Sequence, residues 1–265
     1  MLYFVSTPIG NLKDITYRAV ETLKEVDVIL CEDTRHSIKL LDFYNIKKPL
    51  VSYHKYNEKQ RLDEILEMLE SGKNVAVISD AGTPVISDPG NVLTAFLREK
   101  GVEYTVIPGA TAFAPALLLS GLSAEAFTFI GFLPEKTKDK DRLVSEYEKV
   151  KSTLIFYSAP HDINKDLSYL YNKLGDRRVA VVKEITKIHE TAYLGSLKDL
   201  QIENPKGEFV IVVEGCKAKK EFELSELEHI NLYINKGYSK KDAIKLVANE
   251  RGINKNALYK YTIEN

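Results

Sequence analysis

A chain of 265 residues with 44% apolar residues is long enough to bury one or two cores of good size. A net charge of −1 excludes a global electrostatic footprint for nucleic acid, so any such site has to be a local basic patch. Two cysteines without metal or disulfide spacing, a short N-terminal apolar run and no stretch of ~20 apolar residues point to a reducing, cytoplasmic protein without signal peptide or membrane span.

Leu2–Val5 reads as a strand that runs into Ser6-Thr7-Pro8-Ile9-Gly10-Asn11. Ile15, Ala19, Val20 and Leu23 then give a helical stripe. Val26–Leu30 is the second strand, with Glu32-Asp33-Thr34-Arg35 at its carboxyl end. The third, Leu50–Tyr53, is followed by His54-Lys55-Tyr56-Asn57-Glu58. Leu62, Ile65, Leu66 and Leu69 make an amphipathic helix closed by Gly72.

Val75–Ile78 is a short apolar run of the kind found in buried parallel strands. The loop after it, Ser79 to Gly90, is about twice the usual βα length. It carries Asp80, Asp88, Ser79 and Ser87, with prolines at 84 and 89. Asp88 is expected to cap the following helix, with Pro89 in its first turn. The loop has neither a phosphate-cradling lysine nor G-x-G-x-x-G spacing, so it is not a P-loop or a dinucleotide fingerprint. Acidic side chains and free carbonyls at a strand end suit a cationic or donor-rich ligand. After a helix ending at Gly101, Tyr104–Ile107 is a strand leading into Pro108-Gly109-Ala110-Thr111-Ala112 and an apolar helix to Leu119.

Alternation of strand and helix predicts a parallel sheet covered on both faces, with the polar strand-end loops gathered on one edge. In the second half, Phe127–Phe132, Thr153–Tyr157, Arg178–Lys183 and Val210–Val213 read as strands of a mixed sheet. Glu135 to Lys151 is charge-dense and reads as a solvated helix crossing between domains. From about Glu221 the pattern is helical: Leu224, Leu227, Ile230 and Ile234, then Ser239 as a cap with Ala243, Leu246 and Val247, then Gly252 before Ile253, Ala257, Leu258 and Tyr261. Residues 216–265 hold ten Lys/Arg against seven Asp/Glu. This tail is either a helix-turn-helix-like nucleic-acid grip or a small helical cap.

TPIGN at 7–11, EDTR at 32–35, HKYNE at 54–58, SDAGTPVISDPG at 79–90, PGATA at 108–112, GFLP at 131–134 and KEITKIHE at 183–190 together resemble the tetrapyrrole-methylase-like methyltransferases, in the ribosomal RNA small subunit methyltransferase I branch. Ser158 and Asp162 depart from that branch, where glutamate and arginine are usual around Pro160-His161.

The resemblance implies a class III methyltransferase fold: an α/β domain over 1–122, a connection over 123–152, a second α/β domain over 153–216 and the helical segment over 222–265. It implies a homodimer and S-adenosyl-L-methionine held by Pro8, Gly10, Ser79, Asp80, Ala81, Gly82, Thr83, Pro84, Ile86, Thr111, Ala112 and Ser158. The implied reaction is methylation of the ribose 2′-oxygen of a cytidine in the decoding region of small-subunit rRNA.

Such a displacement needs alignment and, for a ribose hydroxyl, a base. Glu32, Asp33, His54 and Glu184 are the candidate catalytic residues, and Arg35, Lys55 and Lys187 are candidate RNA contacts. The five histidines, 36, 54, 161, 189 and 229, lack metal-ligand spacing, so no metal is expected. Two other functions stay open: a tetrapyrrole methylase of the same fold, and a ligand-responsive DNA-binding regulator.

Overall fold

The computed structural model describes residues 1–217, 224–251 and 253–262. Residues 1–215 form one compact unit and 216–265 a second. The first unit contains two five-stranded sheets.

The first sheet comprises β1 (Leu2–Val5), β2 (Val28–Cys31), β3 (Leu50–Ser52), β4 (Val75–Ile78) and β5 (Tyr104–Ile107). Their order is β3-β2-β4-β1-β5 and every pairing is parallel. Alternate residues of each strand point to opposite faces, so each apolar run feeds two cores. Val5, Ile29, Cys31, Ala76 and Ile78 pack on one face with Ala19 and Leu23 of α1 (Tyr17–Glu25) and Leu41 of α2 (Thr34–Phe43). Leu2, Phe4, Leu30, Val75 and Val77 pack on the other with Ile65 of α3 (Glu58–Glu70) and with Leu93 and Leu97 of α4 (Asn91–Glu99). Cys31 is fully buried, and with both faces covered the strands need no polar side, as their sequences show.

This topology fixes the site. β1 and β4 are neighbours, yet the chain leaves β1 toward α1 on one face and leaves β4 toward α4 on the other. A crevice opens where adjacent strand ends diverge in this way.

Helix α5 (Phe113–Ser120) links the sheets. It leaves β5 and buries Ala116 and Leu117 against Ile155, Ala180, Val182, Val210 and Val212 of the second sheet. That sheet comprises β6 (Phe127–Phe132), β7 (Thr153–Ser158), β8 (Arg178–Lys183), β9 (Thr191–Ser196) and β10 (Phe209–Val213), ordered β6-β7-β10-β8-β9. β6 and β7 are parallel and the other pairs antiparallel, so the sheet is mixed as expected. Its far face packs Leu154, Phe156, Val181 and Ile211 on α7 (Ile163–Leu174) and on Val144 of α6 (Thr137–Ser145).

Four differences from the sequence reading stand out. The charge-dense segment is helical only over Thr137–Ser145; it buries Val144, and Lys140 pairs at 3.3 Å with buried Asp166 of α7. Residues 123–152 therefore contribute a strand to the second sheet as well as a covering helix. α7 was not expected, although Ile163, Leu167, Leu170 and Leu174 recur at helical spacing. β9 and α2 were not expected either: β9 is an edge strand with few buried residues, and α2 buries Ser37 among Leu40 and Leu41, which blurs its stripe.

The second unit contains α8 (Glu226–Asn235), α9 (Lys240–Arg251) and α10 (Lys255–Leu258). Ser225 and Glu228 form a capping box on α8, and Ser239 Oγ accepts from the Asp242 N–H at the start of α9. Ile230, Ala243, Ile244, Val247, Ala248 and Leu258 form its core. Gly252 and residues 218–223 lie outside the described residues.

Candidate functional site

Three loops of the first sheet are laced together at the crevice. Thr7 and Gly82 exchange backbone hydrogen bonds, the Thr7 N–H to Gly82 O at 2.8 Å and the Gly82 N–H to Thr7 O at 3.1 Å. Ser6 Oγ lies 2.8 Å from Thr83 Oγ1, which lies 3.1 Å from the Ala110 carbonyl oxygen. The loops after β1, β4 and β5 thus hold one another.

The β4 loop is held in an uncommon conformation. Gly82 has φ +88°, and Val85 and Ser87 also have positive φ, at 77° and 66°. A β-branched residue there is a marked outlier, of the kind that surrounding structure must enforce. Asp88 does not cap α4. The cap position is Gly90, φ +131°, whose N–H donates to the carboxylate of Glu58. Glu58 is itself buried and also accepts from Tyr53 Oη at 2.9 Å. Glu58 thus ties the loop's end to the start of α3.

The loops and one end of the second sheet, where β6 and β7 finish and β10 begins, border a cavity of about 430 Å³. Glu32, Asp80, Asp88 and Glu208 supply its carboxylates, and among the described residues no lysine, arginine or histidine lines it. Ile9, Ile86, Phe132, Tyr157, Ile185 and Val210 supply apolar wall. Crowding of acids in a partly dry space raises their proton affinity. Burial, then the neighbouring Asp80, pushes Glu32 up. Burial, opposed by a hydrogen bond from Ser79 and reinforced by Glu32 and Asp80, pushes Asp88 up to about 6. Burial pushes the Tyr157 phenol up to about 12.

A second cavity of about 350 Å³ adjoins the first, sharing Ile9, Asp80, Ala81 and Glu208. Pro8, Gly10, His36, Lys39 and Lys187 complete much of its wall.

Of the residues expected at a cofactor, Asp80, Ala81, Gly82, Thr83, Ile86, Thr111, Ala112 and Ser158 line the larger cavity. Pro8 and Gly10 line the smaller. Ser79 and Pro84 line neither; Ser79 is buried beneath the loop, its hydroxyl donating to the carbonyl oxygens of Ala81 and Gly82 at 3.4 and 3.3 Å.

Of the candidate catalytic residues, only Glu32 lines a cavity. Asp33 accepts from the Arg35 N–H at 2.8 Å at the start of α2, and its carboxylate pairs with the Arg35 guanidinium at 2.7 Å. Arg35 holds that carboxyl down at about 2. The Asp33 N–H donates to Asp80 Oδ1 at 3.2 Å, so its backbone serves the site although its side chain faces outward. His54 lies near enough to Glu32 to act on its charge, and His54 Nδ1 is buried without a hydrogen bond. Glu184, at φ +52°, accepts from Lys187 Nζ at 2.9 Å and from the Glu208 N–H at 3.0 Å. Lys55 is exposed over the Tyr56 ring.

The site also uses residues that the expected set omits: Asp88, Glu208, Tyr157 and Phe132. Asp88 stands inside the motif at 79–90 and Phe132 inside that at 131–134, while Glu208 immediately precedes β10. Tyr157 and Phe132 sit at strand ends of the second sheet, and only the tertiary fold brings them to the first.

Residues 1–201 match the family described as Tetrapyrrole (Corrin/Porphyrin) Methylases. The protein named Ribosomal RNA small subunit methyltransferase I of Bacillus subtilis is 42% identical over 98% of this chain and 92% of its own. Its namesake in Escherichia coli O157:H7 is 40% identical over 99% of this chain and 94% of its own.

The chain belongs to the ribosomal RNA small subunit methyltransferase I family, within the tetrapyrrole methylases.

A crystal structure of diphthine synthase matches 81% of this chain and 89% of its own with a TM-score of 0.66 at 16% identity. That of uroporphyrin-III-C-methyltransferase from Thermus thermophilus matches 80% and 93% with a TM-score of 0.58 at 20% identity. At those identities the likeness is one of fold.

The methyl donor of this family is S-adenosylmethionine, and the larger cavity has the chemistry to hold it. Among the described residues, a ligand with two cationic centres meets four carboxylates and no basic side chain there. Its volume falls in the range of about 300–1,000 Å³ typical of small-molecule sites. Gly82 lets the loop pass close to its neighbours at the cavity wall, since a Cβ there would lie 3.3 Å from the Ile9 side chain.

Proposed function

We propose that this chain methylates the ribose 2′-oxygen of a cytidine in the decoding region of small-subunit rRNA. What carries the reading is identity of about 40% over nearly the whole chain to proteins named Ribosomal RNA small subunit methyltransferase I. The nucleotide and the oxygen come from the motif resemblance described above. On the same reading the protein works as a homodimer in the cytoplasm.

When bound, S-adenosylmethionine supplies an electrophilic methyl group. The residues that would hold it are Asp80 to Thr83, Ile86, Thr111, Ala112 and Ser158. Pre-aligned reactants lose much of the entropic part of the barrier, which is worth several kcal/mol. The strained, cross-tied β4 loop provides that rigidity.

A ribose hydroxyl is a poor nucleophile until its proton is taken. Glu32 is the base in this reading: it lines the cavity, and burial raises its proton affinity toward neutrality. His54 tunes its charge. Asp33 does not take the proton, because Arg35 has made its carboxylate a weak base. It presents Arg35 instead, which with Lys55 lies exposed where RNA phosphates could meet it. Tyr157 and Phe132 help to exclude water.

Mass mapping of small-subunit rRNA from a strain lacking the protein tests the reading. One ribose methylation should vanish and return on complementation. Unchanged rRNA would overturn it, and methyl transfer to a tetrapyrrole would install the other reading of the fold.

A further inference from the structure

We infer that the smaller cavity is a phosphate pocket for the acceptor RNA strand, with Lys39 as its principal cation and His36 beside it. The inference deepens the reading above and rests on it.

The two cavities share a wall but differ in charge. Among the described residues the larger has no basic residue, whereas the smaller has three: His36, Lys39 and Lys187. Lys187 is already satisfied. Its Nζ lies 2.9 Å from Glu184 Oε1 and 3.0 Å from Glu208 Oε2, so two carboxylates match its one charge. Its stem covers Gly10, where a Cβ would meet Lys187 carbons at 2.4 to 3.0 Å. Lys187 is therefore a wall and not the anion ligand.

His36 and Lys39 are different. They stand three residues apart on α2, so they share a helix face. Both are exposed, and neither makes an ion pair with a described residue. Asp80 and Glu208, on the shared wall, repel an anion and leave it the α2 side of the pocket. A volume of about 350 Å³ admits a nucleotide-sized group. Methyl transfer also requires the acceptor to abut the donor site, and this cavity does. The phosphate beside the acceptor ribose is the group that fits.

The experiment measures binding of small ribosomal subunits, isolated from a strain lacking the protein, as a function of salt. Wild type, Lys39→Ala, Lys39→Arg and Lys187→Ala are compared, with S-adenosylmethionine affinity measured in parallel by calorimetry. One phosphate contact to single-stranded RNA contributes about −0.7 to the log–log salt slope. Lys39→Ala should flatten the slope by about that amount and weaken binding ~5–10-fold at low salt. Lys39→Arg should restore both, Lys187→Ala should keep the slope, and donor affinity should hold in both Lys39 variants.

An unchanged slope in Lys39→Ala overturns the pocket. So does a result in which inorganic phosphate binds through Lys39 while subunit binding ignores it, since that describes a free-anion site. Failure of the wild type to methylate the subunits at all is a different outcome and falls on the function itself.

Discussion

Loops of the parallel sheet bring Glu32, Asp80 and Asp88 to the larger cavity, whereas strand ends of the mixed sheet bring Phe132, Tyr157, Ile185 and Val210 to the same space. The parallel sheet has all its carboxyl ends on one edge, so each successive strand can deliver a polar loop there. The mixed sheet alternates direction, and fewer of its ends reach the crevice. Charge therefore comes chiefly from one side and apolar cover from the other. Substitutions on the first side should alter chemistry and cofactor affinity, and those on the second should alter fit by small steps.

The largest effect is expected at Glu32. Glu32→Gln keeps shape and removes basicity, so kcat should fall by about 10²-fold or more while S-adenosylmethionine affinity, losing one of four carboxylates, falls far less. Single-turnover methylation with parallel calorimetry measures both. A kcat within a factor of two of wild type would remove Glu32 as the base.

Next comes the β4 loop. Gly82 has φ +88°, and Val there adds a strained backbone and a side chain against Ile9 at the cavity rim. Gly82→Val should weaken S-adenosylmethionine by ~10–100-fold, at roughly 1–2 kcal/mol for the left-handed conformation alone. Ile185→Val, on the opposite wall, deletes one methylene worth ~0.8 kcal/mol and should weaken it about fourfold at most. Equal affinities in the two folded variants would erase the contrast between the sheets.

The same contrast governs what could be read in advance. The parallel strands were plain because two-sided burial makes Val75–Ile78 and its neighbours continuously apolar. Their polar ends stood out against that background, and most of the expected cofactor residues line one of the two cavities. Charge roles within the motifs were less legible. Asp33 and Asp88 are both acids at a helix start, and the sequence suggests a cap for Asp88 and a site role for Asp33. The fold reverses them, because Arg35 lies two residues from Asp33 and claims it locally, while Glu58, 32 residues before Gly90, takes over the end of the β4 loop. Edge strand β9 is mostly exposed, so it lacks the apolar run that betrays a buried strand.

A further effect, far below that at Glu32, is a pH dependence centred on Asp88. Burial and the acids around it raise its folded pKa from 3.8 to about 6. Below about pH 4 the carboxyl is protonated in the folded and unfolded chains alike. As pH rises the unfolded chain ionises first, so the stability that Asp88 contributes at low pH is lost between about pH 4 and pH 6 and stays lost above. Asp88→Asn is neutral throughout and close to the same shape. It should match wild type near pH 4 and exceed it at pH 7.5, by roughly 1 kcal/mol once the partial exposure of the site is allowed for. A bound cation reverses the preference, because it favours the ionised carboxylate. Wild-type affinity for S-adenosylmethionine should therefore rise as pH increases through about 6, and Asp88→Asn should flatten that rise and bind more weakly at pH 7.5. Thermal unfolding and calorimetry at pH 4, 6 and 7.5 measure both halves. A variant less stable than wild type at pH 7.5, or one with the same rise in affinity, would show that Asp88 is not where the site holds its spare proton.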